Sequence, residues 1–161
     1  MDFEIFNPRQ TVIATCRGIC EIFGKKQQKD NGLTLDWHMP VSFDPPMYAI
    51  AVGKTRFSYK LISQSKVFAV NFLSSSLKDA AIFFGRHSGQ FIDKFQNTEK
   101  GEAQRIDCPI LRDATAVIEC EVINEIEAGD HCIFIGRILY ASENVKEKRL
   151  FHTKNNKFAV L

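Results

Sequence analysis

Apolar and polar positions along this chain follow strand patterns over most of its length, and helical spacing is confined to two short stretches. Thr11-Val12-Ile13-Ala14-Thr15-Cys16 is β-branched and compact and predicts a first strand after the Asn7-Pro8 turn. A hairpin-like return through residues 19–23 leads into Lys25-Lys26-Gln27-Gln28-Lys29, which reads as a solvated charged loop. Asn31-Gly32 reads as a turn that opens an alternating strand from Leu33 to Phe43. Pro45-Pro46 ends that strand, because proline lacks a ladder donor and fixes φ. Met47–Val52 is largely apolar and predicts a central strand. Phe57, Leu61 and Ile62 then fall at helical spacing, with Thr55 as the expected N-cap of a helix over 56–65. A strand over 67–73 and a second short helix over 77–84, ending near Gly85, follow. The stretch through Gly101 and Pro109 reads as loop. Two long strands, 115–126 and 131–142, turn at Gly129-Asp130, and a short strand at 157–161 comes last.

Many strands, few helices and no regular β-α alternation predict a mainly β, closed barrel with a few peripheral helices. With 161 residues, one domain spanning 1–161 is expected, without repeat, linker or low-complexity tract.

Composition narrows the function. A hydrophobic fraction of 45% and a charged fraction of 25% are those of a soluble globular protein. The net charge of +2 comes from 21 basic and 19 acidic residues that are interspersed, which argues against a nucleic-acid partner. No apolar run approaches membrane-spanning length, and residues 1–6 lack the basic-then-apolar layout of a leader. Five cysteines without a C-x-x-C pair predict reduced thiols, no structural metal and a cytoplasmic location.

Three segments carry candidate chemistry. The first is Gly53-Lys54-Thr55-Arg56-Phe57-Ser58-Tyr59, where a strand gives way to a helix. Unpaired N–H groups and the positive dipole end meet there, and Arg56 adds a forked guanidinium suited to phosphate, beside the hydroxyls of Thr55 and Ser58. The second is the glycine-bracketed loop Gly85-Arg86-His87-Ser88-Gly89, followed by Lys94 between Phe91 and Phe95. The third is Gly129-Asp130-His131, at the start of an apolar strand. The strand through Trp37, His38, Met39, Pro40 and Val41 adds main-chain groups able to line a flat, hydrogen-bonding ligand. No catalytic triad and no metal-ligand spacing emerges from the order of these residues.

Taken in order, Asn31 through Pro46, Arg56-Phe57-Ser58-Tyr59, residues 68–73, the stretch from Ser88-Gly89 to Phe95, and Gly129-Asp130-His131 resemble the FMN-binding split-barrel flavin reductases. The flavoredoxin-like branch is the nearest match. The resemblance implies a Greek-key split β-barrel and an oxidoreductase that moves electrons from NAD(P)H or a redox protein through FMN. It places Asn31 and Trp37 along the flavin ring and Ser58 near the phosphate with Arg56 and Tyr59 beside it. Asn71, Lys94, His131 and Phe158 match further flavin-pocket positions. Lys94 has two readings, a cation near the ring that favours reduced flavin or a phosphate contact. The resemblance also implies a homodimer, with the redox chemistry carried by the cofactor and no catalytic side chain. The alternative is a cofactor-free β-barrel interaction module that keeps the fold without the chemistry.

Overall fold

A computed structural model describes residues 3–144 and 147–161. Met1-Asp2, at the start of the stretch that lacks a leader's layout, lie outside the described residues. In chain order the strands are β1 (Arg9–Gln10), β2 (Val12–Ile22), β3 (Lys25–Leu35), β4 (His38–Phe43) and β5 (Pro46–Gly53). Helix α1 (Phe57–Ser65), strand β6 (Val67–Phe72) and helix α2 (Lys78–Arg86) follow. The remaining strands are β7 (Lys100–Glu102), β8 (Pro109–Leu111), β9 (Ala116–Ala128), β10 (His131–Glu143), β11 (Leu150–His152) and β12 (Phe158–Val160).

Seven strands form one sheet in the order β3-β2-β6-β9-β10-β5-β4. Its two outermost strands, β3 and β4, are consecutive in the chain and joined only by Asp36-Trp37. Two edges tethered by two residues force the sheet to curl until they meet at one corner, yet they do not pair along their length. The barrel is therefore split there, as the family resemblance implied, where the pattern of elements alone suggested a closed one. Small sheets β1-β11-β12 and β7-β8 flank it.

Inside the curl, Val12, Ala14, Ile50, Phe68, Val70 and Phe134 pack with Leu61 and Ile62 of α1. On the outer face Ile13, Ala69 and Val117 pack with Ala81 and Phe84 of α2. Neighbouring residues of β2 and β6 thus serve two cores, so these strands read as continuous apolar runs rather than alternating ones. Gly136 in β10 allows the inner core to close. A Cβ there would sit 2.7 Å from the Cys120 Cβ and 2.8 Å from the Phe68 ring. Gly136→Ala is expected to destabilise the protein by about 1–3 kcal/mol in chemical denaturation. A change below about 0.5 kcal/mol would show that this packing has slack.

The segment 25–43 departs most from expectation. The charged stretch Lys25–Lys29 is strand, paired in register with β2 from Ile22↔Lys25 to Gly18↔Lys29. It forms the sheet edge, where lysines discourage pairing with another chain. Asn31-Gly32 lies inside β3 and makes no turn. Glycine is required at 32 because the Phe84 ring lies 2.9 Å from where a Cβ would stand. The predicted strand 33–43 breaks at Asp36-Trp37, which form the corner. Pro40 is tolerated in β4 because β4 is an edge. The helix α1 has Arg56, not Thr55, at its N-cap. Four short strands escaped the sequence pattern: β1 and β11, which pair with each other, and β7 and β8, which pair across the stretch that reads as loop. Among the described residues no helix is long and apolar enough to cross a membrane.

Candidate functional site

The chain leaves β5 at Gly53 and turns through an Arg56 N–H bond to the Gly53 carbonyl, 2.9 Å. Arg56 keeps an extended backbone (φ −75°, ψ 138°) and makes no side-chain cap. The N–H groups of Phe57 and Ser58 consequently have no acceptor among the described residues, as expected for an uncapped first turn. They reach a cavity of about 310 Å³ walled by Thr55, Arg56, Ser58, Asn31, Lys94 and the Gly85–Gly89 loop.

Asn31 is 1% exposed and donates from Nδ2 to the Ser58 hydroxyl, 2.8 Å. Its Oδ1 is buried with no hydrogen-bond partner. An unmet acceptor costs about 1–3 kcal/mol, which is recovered when a ligand brings a donor. Lys94 is equally buried. Its ammonium donates to the Gly32 and Phe84 carbonyls, each at 2.7 Å, and so ties β3 to the C-terminal turn of α2. Burial pulls its pKa down to about 8; Cys16 opposes that shift and Arg56 adds to it. Cys16 stands behind Ser58 with its thiol pushed up to about 12 by burial, so no thiolate serves as a nucleophile here at neutral pH.

A second cavity, of about 210 Å³, adjoins the first along Leu33, Thr34 and Arg56. Trp37 and His131 form its far wall, their rings 4.9 Å apart. His131 Nδ1 is held by the exposed Asp130 carboxylate at 2.7 Å, and that bond lowers the Asp130 pKa. Cations and free N–H groups thus gather at one end of the pair of cavities, and aromatic rings stand at the other. This arrangement suits a flat ligand with an anionic tail.

Of the residues singled out from the sequence, the fold unites Asn31, Thr55, Arg56, Ser58 and Lys94 in the first cavity and Trp37 with His131 in the second. Asn31 was expected beside Trp37 along a ring; it lies with Arg56 and Ser58 at the cationic end instead. Lys94 is at that end as well. Phe158 lies in a third cavity. The other five residues plus Asn71 stand elsewhere. His38 uses both ring nitrogens, Nε2–H to the Gln10 carbonyl and Nδ1 to the Tyr48 hydroxyl, and burial lowers its pKa. Met39 lines a shallow apolar groove beside Trp37, while Pro40 and Val41 are exposed on the edge strand. Tyr59 packs against Phe134, 5.9 Å between rings. Asn71 is fully buried and fully spent, donating to the Ile13 carbonyl and Thr15 hydroxyl and accepting from the Leu111 N–H. Sequence reasoning passed over Leu33, Thr34 and Asp36. Their role as wall depends on the break at the corner, which no local pattern announces.

Comparison with known proteins gives this geometry its context. A family profile described as "Flavin reductase like domain" matches residues 7–160. The chain belongs to that family. A probable flavin reductase from Rhizobium meliloti (strain 1021) is 32% identical over 142 residues, 86% of this chain and 44% of its own length. The solved NADH:FAD oxidoreductase SgcE6 of Streptomyces globisporus C-1027 superposes with a TM-score of 0.84 at 24% identity, over 96% of this chain and 87% of its own. Flavoredoxin from Methanosarcina acetivorans gives 0.81 at 23% identity, over 96% and 85%. Both likenesses concern the fold, which is the family's split β-barrel. Several curated relatives are matched over only 45–66% of their own length.

Proposed function

We propose that the protein is a flavin-dependent oxidoreductase that holds FMN with its phosphate at the α1 N-terminus and its ring toward Trp37 and His131. The unpartnered Asn31 Oδ1, buried in the same cavity as the free N–H groups of α1, carries this reading. A flavin mononucleotide brings both what that end lacks: anionic oxygens for Arg56 and the helix N–H groups, and hydroxyl donors for Asn31. Bound flavin supplies the hydride and electron transfer. The chain's own part is to neutralise the phosphate with Arg56 and Lys94, to orient the ribityl chain through Asn31 and Ser58, and to bracket the ring with Trp37 and His131. Some relatives are described with FAD and others with FMN. A single cationic end favours the mononucleotide. NAD(P)H or a reduced redox protein is the donor in this reading, and a reducing cytoplasm suits the five free cysteines.

The purified protein is expected to be yellow, to take up FMN in preference to riboflavin and FAD, and to bleach when mixed with NADH, NADPH or reduced ferredoxin. Colourless protein that refuses added FMN would instead support the cofactor-free module.

Gly89 tests the cradle from the side of the loop. A Cβ there would lie 2.0 Å from Asn31 Oδ1. Gly89→Ala must therefore displace the amide or the loop, at about 1–3 kcal/mol, and FMN affinity is expected to fall ten- to a hundredfold. Unchanged affinity in an absorbance titration would remove Asn31 from the site.

The same reading includes a homodimer. Phe3, Phe6, Trp37, Met39, Val41 and Phe43 are all exposed on or beside the corner and β4, and Phe6, Trp37 and Met39 line an apolar groove of about 350 Å³. Sedimentation at micromolar concentration is expected to show two chains. A monomer that retains FMN would exclude a partner from the site.

A further inference from the structure

A third cavity, of about 280 Å³, meets the first along Thr34, Gly85 and Arg86 and the second along Thr34 and Asp36. The flavin pose proposed above gives no role to His152 or to the Arg86 guanidinium. His152 of β11 points Nδ1 at Asp36 Oδ2, 2.7 Å, and the other carboxylate oxygen accepts the Thr11 hydroxyl, also at 2.7 Å. With both oxygens engaged the carboxylate is fixed, and it fixes the imidazole in turn. The Nε2 of His152 has no partner among the described residues. Beside it the Phe158 ring lies 5.5 Å away, tilted by 32°, so imidazole and phenyl make a continuous aromatic wall. Ala81 and Ile82 of α2 add an apolar side. Arg86 closes the remaining side; it is exposed and forms no ion pair among the described residues.

A fixed imidazole with a free nitrogen, an aromatic wall and a guanidinium without an ion-pair partner among the described residues share this one cavity. We propose that this cavity is a second binding subsite, adjoining the flavin cavities and sharing Arg86 with the first, for a planar aryl carboxylate. The carboxylate pairs with the Arg86 fork, which matches its geometry in a bidentate contact. The ring lies on Phe158 between Ile82 and the imidazole, so that ring currents reach His152, and Nε2 is free to hydrogen-bond a polar ring substituent where a ligand carries one. The volume is at the small end of ligand cavities and suits one substituted ring, not a dinucleotide. A purely structural clasp between β3 and β11 would need the Asp36–His152 bond alone; it leaves the open Nε2 and the unpaired Arg86 unaccounted for.

The probe is benzoate, titrated into the full chain as purified and followed by calorimetry and by the imidazole NMR signals of His152, identified by their loss in His152→Gln. Saturable binding is expected, with a shift of the His152 signals. Benzamide, which keeps the ring and loses the charge, and acetate, which keeps the charge and loses the ring, are expected to bind at least tenfold more weakly. Arg86→Gln, at an exposed position where folding is not at stake, is expected to weaken benzoate at least tenfold. Absence of saturable binding, or equal binding by Arg86→Gln and the unaltered chain, overturns the subsite. Flavin content is read by absorbance in each sample. Yellow protein that ignores benzoate counts against the subsite alone, and colourless protein that binds it counts against the flavin reading alone.

Discussion

Arg56→Ala is expected to lower FMN affinity ten- to a hundredfold and to leave riboflavin affinity nearly unchanged. Arg56 is the N-cap residue of α1, and its side chain lines both the first and the second cavity. A charge-assisted contact of this type contributes roughly 1.5–3 kcal/mol. Folding is not at stake, because Arg56 is exposed and its cap makes no side-chain bond. Equal losses for FMN and riboflavin would show that the guanidinium meets the ring, and the phosphate would have to lie elsewhere.

Lys94→Met is expected to have the second large effect. The substitution deletes a buried cation and leaves the Gly32 and Phe84 carbonyls without their donor. FMN affinity is expected to fall at least tenfold, with a loss of stability of about 1–3 kcal/mol for each carbonyl left unmet. The two-electron potential of whatever flavin remains bound should move by less than about 30 mV, or 1.4 kcal/mol. A drop of tens of millivolts with affinity intact would return Lys94 to the ring.

The pH dependence separates two contributions of the same lysine. Its pKa stands at about 8 in the fold, against 10.5 ordinarily, with burial as the main cause. Between those values the unfolded chain holds a proton that the folded chain has released. Stability from this group is therefore present above the ordinary value and lost as pH falls through about 8. Phosphate binding has the opposite sign, since it requires the charged form. FMN affinity is expected to decline as pH rises through about 8, and the decline should be missing in Lys94→Met. A decline of the same size in both proteins would assign it to another group.

Much of this protein is legible in its residue order. The long strands of 115–142, the apolar runs of β2 and β6 and both helices follow from spacing, because each is specified by contacts within a few residues. The turn at 53–58 was readable as an anion site for the same reason: strand end, helix start and arginine are adjacent in the chain. Its capping residue was misplaced by one position, but Thr55 and Ser58 both still line the cavity.

The segment 25–43 shows where local reading stops. Three lysines and two glutamines look like a loop until β2 supplies a partner whose register fixes them as an edge strand. Gly32 looks like a turn until the Phe84 ring, from a helix fifty residues away, occupies the place of its side chain. Asn71 has the composition of a ligand contact, yet three distant backbone and hydroxyl groups consume it. Asp36 and His152 are 116 residues apart, and nothing near either one signals the other. The sequence by itself determined the long strands, both helices, the strand-to-helix turn at 53–58 and the family resemblance, since these rest on neighbours in the chain. Only the tertiary structure decided that Asn31 and Lys94 sit with Arg56 at the cationic end, that Trp37 faces His131 across the corner, and that a carboxylate holds His152 in its cavity. Those pairings depend on how far the sheet curls, and curl is set by the two cores together, not by any segment alone.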